Sequence, residues 1–457
     1  GKEVAQIAWA KAFQKGDFRS GYYRDQTFMM AIGALTVKEF FASLYANTDV
    51  EKEPASAGRQ MNGHFATRSL NADGSWKNLM EQYNVSADIS PTAGQMPRLV
   101  GLAEASKHYR VNEGLHAKTS FSNKGNEVAW GTIGNASTSE GPFFEAINAA
   151  GVLQVPMVMS VWDDEYGISV HAKYQTTKES ISEILAGFQR TNEKDGYEIM
   201  VVKGWDYPTL IETYEKASAL SRKEHVPVLI HVHEMTQPQG HSTSGSHERY
   251  KSPERLQWEQ DFDCIKKLRE FIETTELATA DELDAIVKAA KKEVRVAKGE
   301  AWKEFLRAIK VDVTEVSGLI SNVAAKSSNG AFITKVKTNL EAIGEPLFKD
   351  TVTAARETLR FVRGENTAER TALINWLEEK NKVHFSKFSS FLHSESAENA
   401  NAISAVAPTF GETAEQVDAR LVLRENFDHI LTNRPEVMIF GEDSGKIGDV
   451  NQGLEGM

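Results

Sequence analysis

A strand, a turn of small residues and a helix follow one another in Val128-Ala-Trp-Gly-Thr-Ile-Gly-Asn-Ala-Ser-Thr-Ser-Glu-Gly-Pro142. The apolar start predicts a buried strand at 128–133, and apolar residues at helical spacing after Pro142 predict an amphipathic helix. Backbone N–H groups in such a Gly- and Ser-rich turn can face an anion at a helix N-terminus. Most α/β proteins contain similar connections, and this turn is neither a P-loop nor a GxGxxG.

The same alternation of strands and helices extends over residues 1–250. Three further short apolar runs suit strands that are buried on both faces, namely Val155–Val161, Ile199–Val202 and Val226–Val232. Amphipathic stretches lie between them, at Phe143–Ala150, Ile181–Thr191 and Leu210–Lys223. This order predicts an α/β domain with a parallel sheet flanked by helices.

The pattern changes near residue 250. Residues 251–412 are charged and helical in period, and Thr279-Ala-Asp-Glu282 is a capping box. We expect a helical connector here, ending in a Ser- and Ala-rich linker over 386–412. For residues 413–457 the sequence pattern predicts a helix from 413 to 431, then a strand at 437–440 and a Gly-rich turn. We interpret this last part as the start of a second, truncated α/β domain.

Composition excludes several classes of protein. The 52 basic and 64 acidic residues give a net charge of -12, which argues against a nucleic-acid partner. No apolar run approaches the roughly 20 residues that span a bilayer, so we expect no membrane segment. Cys264 is the only cysteine, which excludes an intramolecular disulfide or a multi-cysteine metal site and fits a reducing cytoplasmic location.

Acidic residues end the second predicted strand, in Trp162-Asp-Asp-Glu-Tyr-Gly-Ile-Ser169. Polar groups at the carboxyl ends of neighbouring parallel strands can share one ligand. Asn135 and Asp164 offer hard oxygens of the kind that Mg²⁺ binds beside a phosphate. The alternative is a solvated acidic loop, which would be favoured if this segment were taken alone.

Several motifs together resemble the thiamine-diphosphate-dependent 2-oxo acid dehydrogenases, in their decarboxylating component. In that family the turn is typically Gly-Asp-Gly-Ala-x-Ser-Glu-Gly and the acidic segment is Asn-Asn-Gly-Tyr-Ala-Ile-Ser. The other similar motifs are Tyr22-Tyr-Arg-Asp25, Gly58-Arg-Gln-Met-Asn-Gly-His64, Ile89-Ser-Pro-Thr-Ala-Gly-Gln-Met-Pro97 and Gly240-His-Ser-Thr-Ser244. They occur in the family's order and cover most of residues 1–250.

The resemblance implies thiamine diphosphate and Mg²⁺ as cofactors. Asn135 stands where the family usually has Asp, and Asp164 where it usually has the ligand Asn. This exchange keeps one carboxylate and one amide, so our hypothesis takes Asn135, Asp164 and the Tyr166 carbonyl as metal ligands. Trp162 replaces an Arg that some relatives place there, so that phosphate contact is absent.

Roles for the remaining motif residues follow from the resemblance. Arg24 would grip the diphosphate in a bidentate fork, with the Tyr23 hydroxyl beside it; a salt bridge from Arg24 to Asp25 is the structural alternative. His241 and His64 would act on the substrate as catalytic residues, although a solitary His is usually structural. The other cofactor-binding candidates are Ser90, Thr92, Gly134, Ala136, Ser137 and Ile168, with His241 also close to the cofactor. Gln95 would hold a monovalent cation or the fold, and His231, His233 and His247 are interpreted as structural.

The resemblance resumes at Arg424-Glu-Asn-Phe427 and Val437–Lys446, which are similar to the opening of the family's β subunit. It implies an α part fused to a β part, whose catalytic glutamate we expect beyond Met457. The implied activity is oxidative decarboxylation of a 2-oxo acid, with the acyl group passed to a lipoyl group on the acyltransferase component. We expect these partners and a homo-oligomer.

Branched-chain substrates such as 2-oxoisovalerate are slightly preferred, because the Tyr-Arg and His-Ser-Thr-Ser elements resemble that branch. Pyruvate and acetoin dehydrogenases share most of these features. A transketolase-like enzyme is disfavoured because we recognise no set of Arg and His residues for a phosphosugar. A catalytically inactive assembly subunit, in which the exchange at Asn135 and Asp164 marks lost metal binding, stays open.

Overall fold

A six-stranded parallel sheet forms the centre of the N-terminal half, with strand order β2-β1-β3-β4-β8-β7. The computed structural model describes residues 1–60, 63–241, 246–390, 394, 396–397 and 399–457. The strands are β1 Phe18–Arg19, β2 Asn84–Val85, β3 Ala129–Gly134, β4 Met157–Trp162, β5 Tyr166–Gly167, β6 Val170–His171, β7 Glu198–Lys203 and β8 Val228–His233. Strands β5 and β6 form a separate antiparallel hairpin.

Helices cover the sheet and then continue alone to the C-terminal part. They are α1 Glu3–Ala12, α2 Gln26–Ala31, α3 Val37–Leu44, α4 Met96–Val111, α5 Gly141–Leu153, α6 Ile181–Ile184, α7 Tyr207–Glu224, α8 Pro253–Asp261, α9 Cys264–Thr274, α10 Ala280–Lys326, α11 Gly330–Glu341, α12 Phe348–Phe361, α13 Ala368–Ser389 and α14 Ala419–Asn433. The predicted α/β class with a flanked parallel sheet is confirmed.

The strands form where the sequence is apolar on both sides of the chain. Every residue of β4 is buried, and so are the first five of β3, because helices lie on both faces of the sheet. One core packs α1 and α7 against the sheet, with Trp9 stacked on Phe28 at 3.6 Å between ring centroids. A second core packs α4 and α5 against the other face.

The segment after residue 250 is helical, as the sequence predicts. Helix α10 begins with the predicted capping box, in which Thr279 and Glu282 bond each other's backbone N–H groups. The C-terminal part of α10 packs with α11, α12 and α13 around a third core that includes Val316, Ile320 and Leu373. Helix α13 continues to Ser389, so the irregular linker begins later than residue 386.

The predicted strand at 437–440 is wrong. These residues have irregular backbone, and the side chain of Phe440 is 73% exposed. An apolar run becomes a strand only where a neighbouring strand can satisfy its backbone N–H and C=O groups, and no described strand lies beside this one. The segment is instead anchored at Pro435, whose carbonyl oxygen accepts hydrogen bonds from His108 and Asn112. The helix before it begins at Ala419 rather than 413.

Within the described residues, no helix combines the length and the apolar character that crossing a bilayer requires.

His225 makes a pH-dependent contribution to stability. It ends α7 in a left-handed conformation with φ 56°, and its buried Nε2 donates to the Gly125 carbonyl oxygen at 2.8 Å. Burial, reinforced by Arg110 and Lys107, lowers the pKa of His225 from 6.5 to about 4. Below pH 6.5 the unfolded chain therefore binds a proton at this imidazole, whereas the folded chain binds it only near pH 4. The free energy of unfolding consequently decreases as the pH falls through this range.

We expect His225→Asn to flatten this pH dependence, since Asn tolerates positive φ and does not titrate in this range. Between pH 7 and pH 5 the wild type should lose about 1–2 kcal/mol more unfolding free energy than the variant. Urea unfolding of both proteins at the two pH values measures the difference. Equal losses in the two proteins would contradict the assignment.

Candidate functional site

A cavity of about 420 Å³ opens at the carboxyl ends of β3 and β4. These two strands are hydrogen-bonded neighbours, and their register pairs Gly134 with Trp162. The turns that leave them therefore face each other across the cavity mouth. Its lining includes Lys2, Tyr22, Tyr23, Arg24, Thr92, Gly134, Asn135, Ala136, Ser137, Glu140, Trp162, Asp164, Tyr166, Ile168, Gln175, Gln237 and His241.

Asn135 and Asp164 line this same cavity and are both buried, with 6% and 4% of their surfaces exposed. The Asp164 carboxylate accepts a hydrogen bond from the Tyr166 N–H at 3.2 Å and one from the Lys2 ammonium at 2.5 Å. The Asn135 Nδ2 atom has no hydrogen-bond partner among the described residues. The neighbouring Asp163 points elsewhere, because it pairs with His231 at 2.9 Å.

Tyr166 and Ile168 reach the cavity through the β5–β6 hairpin. A side chain on Gly167 would place its Cβ 2.7 Å from the Ala136 Cβ, so glycine is what lets the hairpin approach the turn after β3. Ile168 has φ 59° and is 56% exposed at the cavity rim. The Lys251 ammonium and the Arg255 guanidinium lie 4.9 and 5.5 Å from the centroid of the Tyr166 ring.

Arg24, Tyr23 and His241 form one polar cluster on the opposite wall. The Arg24 Nη2 donates to the Tyr23 hydroxyl at 3.1 Å and to the His241 Nε2 at 2.7 Å. A guanidinium only donates, so His241 Nε2 must be unprotonated for this contact. Burial and the charge of Arg24 also lower the pKa of His241, which keeps the imidazole neutral.

The alternative in which Arg24 pairs with Asp25 is wrong. Asp25 is bound by Arg19, whose Nη2 lies 2.6 Å away, while the Arg19 Nη1 lies 2.9 Å from Asp88. All three side chains are completely buried. Burial alone acts to lower the pKa of Arg19, but Asp88 and Asp25 outweigh it and raise that pKa, so the guanidinium stays charged. Arg24 is thereby left facing the cavity.

His64 and Ser90 lie away from this cavity. The His64 ring stacks on Tyr23 with 5.4 Å between centroids, and its Nε2 is 2.9 Å from the Ser90 hydroxyl. His64 lines a second cavity of about 860 Å³, together with Arg59, Arg68 and residues of the linker. Thr92 of the same motif does line the first cavity. Gln95 donates to the Thr132 carbonyl oxygen at 2.9 Å and thus ties α4 to β3.

Parts of two quoted motifs lie outside the described residues. They are Met61 and Asn62 of the motif ending at His64, and Ser242, Thr243 and Ser244 of the motif that begins at Gly240.

Comparison with known proteins gives the family. A family model described as "Dehydrogenase E1 component" matches residues 1–308. The chain belongs to this family. The resemblance found in the sequence is thereby confirmed, whereas the fusion to a β part stays a prediction.

The individual relatives are named for two different substrates, 2-oxoisovalerate and pyruvate. The 2-oxoisovalerate dehydrogenase subunit alpha of Bacillus subtilis is 27% identical over 300 residues, which are 64% of this chain and 78% of that protein. Subunit alpha 1 of the mitochondrial enzyme of the same name from Arabidopsis thaliana is 26% identical over 275 residues, 60% of this chain and 50% of that protein. The mitochondrial pyruvate dehydrogenase E1 component subunit alpha of Dictyostelium discoideum is 24% identical over 305 residues, 66% and 68% of the two chains. This chain thus spans only about half of the plant relative.

The cavity of this E1 component has donors that suit a magnesium-bound diphosphate. Arg24 and Lys2 supply positive charge, and Asp164 and Asn135 offer hard side-chain oxygens. Tyr166, whose carbonyl is the third candidate ligand, lines the same cavity. Among the described residues no three His, Cys, Asp or Glu side chains cluster as a metal site of their own. The unpartnered Asn135 amide leaves hydrogen-bonding capacity free at the same place.

Lys2, Gln175 and Gln237 line the cavity without having been singled out in the sequence. Lys2 precedes the first residue of α1 and lies 162 positions from Asp164. Nothing in its local sequence distinguishes it from a surface lysine. Trp162 lines the cavity and places its Nε1 3.5 Å from the Tyr214 hydroxyl.

Proposed function

We propose that this chain binds thiamine diphosphate with Mg²⁺ and decarboxylates a 2-oxo acid as the α part of an E1 component. The acyl group would pass to a lipoyl group of the acyltransferase component. One observation carries the proposal. Asn135 and Asp164, on neighbouring strand ends, share one cavity with the Arg24 guanidinium in a chain of this family.

Each side chain has a role that its surroundings support. Arg24 and the Tyr23 hydroxyl bind the diphosphate, while Asn135, Asp164 and the Tyr166 carbonyl hold the metal. Gly134, Ala136 and Ser137 border the phosphates, and Thr92 and Ile168 border the rest of the cofactor. Ser90 acts indirectly, through its contact with His64, whose ring stacks on Tyr23.

The cofactor supplies a nucleophilic carbon and an electron sink for the decarboxylation. The chain supplies binding, exclusion of water and proton handling. His241 is neutral near pH 7, so its Nε2 can take a proton once a diphosphate draws Arg24 away. The buried face of Trp162 keeps water from the cavity floor. His64, stacked on Tyr23, serves as a second proton carrier towards the neighbouring cavity.

Branched-chain 2-oxo acids, for example 2-oxoisovalerate, are the preferred substrates. The support is the resemblance of the Tyr-Arg and His-Ser-Thr-Ser motifs and the names of the Bacillus and Arabidopsis relatives. Pyruvate is the next candidate, since the Dictyostelium relative carries that name, and acetoin follows. We propose a cytoplasmic homo-oligomer whose own β-type half supplies the catalytic glutamate.

A catalytically inactive assembly subunit is a second candidate. One specific observation favours it, because the Lys2 ammonium already neutralises Asp164, the only carboxylate of the proposed metal pair. Such a protein would keep the fold and the partners without binding the cofactor.

Calorimetry on the full-length protein separates the two candidates. We expect heat of thiamine diphosphate binding in Mg²⁺ and a large loss of affinity when the metal is chelated. Absence of binding in Mg²⁺ would refute the enzymatic function and favour the assembly subunit. Reduction of a dye acceptor with 2-oxoisovalerate, pyruvate and acetoin in turn would then rank the substrates, and fastest reduction with pyruvate would overturn the branched-chain preference.

A further inference from the structure

Lys2 is held next to Asp164 by a helix that packs into the sheet core. Its side chain is 16% exposed and that of Asp164 is 5% exposed, with Nζ and Oδ2 2.5 Å apart. The helix that follows Lys2 is anchored in the sheet core through Val4, Ala5, Ala8 and Trp9. The position of this ammonium is therefore fixed by packing rather than by a surface contact.

The same helix also contacts the segment that carries Arg24. The Gln6 amide donates to the Arg24 carbonyl oxygen at 3.3 Å and accepts from the Phe28 N–H at 2.9 Å. Helix α1 thus holds Lys2 and the loop of Arg24 in one unit. Both positive side chains therefore line the cavity, and Lys2 contacts Asp164 whereas Arg24 contacts His241.

The Lys2 ammonium, 2.5 Å from Asp164 Oδ2, and a divalent ion on the same carboxylate would compete for one negative charge. Mg²⁺ would need the negative charge of this carboxylate, and an oxygen whose charge is already neutralised by an ammonium is a weaker ligand for it. The two cations also repel each other in a partly desolvated cavity. A diphosphate brings enough negative charge to give the displaced ammonium a new partner beside Arg24.

We propose that Lys2 competes with the divalent ion for Asp164, so that the metal binds weakly alone and strongly together with the diphosphate, which receives the Lys2 ammonium. This inference rests on the proposed function. In this proposal Lys2 binds the cofactor phosphates when the cofactor is present. When the cavity is empty, Lys2 weakens metal binding at Asp164. The binding of metal and cofactor is then thermodynamically coupled. The diphosphate draws the ammonium away from Asp164, which favours the metal, and the metal displaces the ammonium towards the diphosphate.

Lys2→Met tests the competition, because it keeps the apolar stem and removes the charge. Mn²⁺, titrated alone and followed by its electron paramagnetic resonance signal, should bind the variant roughly tenfold more tightly than the wild type. With Mn²⁺ saturating, thiamine diphosphate should bind the variant several-fold more weakly than the wild type. Lys2→Arg retains the charge and should keep the weak metal binding.

Lys173→Met is the matched control. Lys173 lies two residues before Gln175, which lines the cavity, but its ammonium lies over the Tyr174 ring. Its loss should leave the Mn²⁺ affinity nearly unchanged, whereas an equal gain in both variants would reduce the effect to general charge and overturn the competition. Thermal melting confirms that each variant is folded, and Lys2→Gln replaces Lys2→Met if the latter is not.

The results separate this inference from the function on which it rests. Unchanged or weaker Mn²⁺ binding by Lys2→Met, or no Mn²⁺ binding by any of the proteins, overturns the competition. If the wild type nevertheless binds thiamine diphosphate with Mg²⁺, the proposed function stands. Tighter Mn²⁺ binding by the variant without any cofactor binding supports the competition for Asp164 and refutes the function.

Discussion

Alanine at position 164 is expected to weaken the binding of thiamine diphosphate in Mg²⁺ by at least about 100-fold, or about 2.7 kcal/mol. Asp164 is the only carboxylate among the three proposed metal ligands, and its side chain is buried against the cavity. Its loss removes a charged oxygen that neither Asn135 nor the Tyr166 carbonyl replaces. Calorimetric titration of the full-length variant in Mg²⁺ measures the change.

Two further variants show whether the exchange of Asn and Asp preserves the metal site. Asp164→Asn keeps an oxygen and the acceptor for the Tyr166 N–H, so we expect an intermediate loss. Adding Asn135→Asp to it restores one carboxylate and one amide with their positions exchanged, and should recover most of the affinity. Wild-type affinity in Asp164→Ala would refute the assignment of the metal ligands.

The meeting of Asn135 and Asp164 could be anticipated because it depends on a local rule. Each residue follows a strongly apolar run, and adjacent parallel strands end at the same edge of a sheet. The structure places the two side chains around one cavity, as that rule requires. The four long strands were equally accessible to prediction, since runs buried on both faces leave a clear apolar signal.

Contacts between distant parts of the chain were not accessible in this way. Strands β1 and β2 have two residues each, too few to show any period. Lys2 reaches Asp164 only because α1 packs on the sheet, a tertiary relation without a local signature. For the same reason sequence proximity suggested Asp25 as the partner of Arg24, whereas the fold gives Asp25 to Arg19.

At residues 437–440 a clear local signal led to a wrong prediction. Its Val, Met, Ile and Phe have the composition of a strand, yet composition states only that a residue suits a pleated, partly buried surface. The described chain places no strand beside it, and the run stays irregular.

Methionine in place of Arg19 is expected to lower the free energy of unfolding by about 3–5 kcal/mol, because it leaves two buried carboxylates without their cation. Asp25 and Asp88 are each at most 1% exposed, so water cannot replace the guanidinium. Asp25 also accepts the Thr132 hydroxyl at 2.8 Å and the Tyr22 N–H at 3.3 Å. The network therefore holds the loop that presents Arg24, and cofactor affinity should fall together with stability.

Urea unfolding at pH 7 measures the loss of unfolding free energy. Two further variants show whether the buried charges cause it. Arg98→Met removes a half-buried arginine whose hydrogen bonds within the described part of the chain go to Ser20 and the Ala87 carbonyl oxygen, and should cost much less. Combining Arg19→Met with Asp25→Asn and Asp88→Asn removes all three charges, so much of the lost stability should return. A loss below about 1 kcal/mol in Arg19→Met, in the range of exposed ion pairs, would mean that the carboxyl groups are neutral or hydrated in the folded protein. In that case the Arg19 network would not be what orients Arg24 towards the diphosphate.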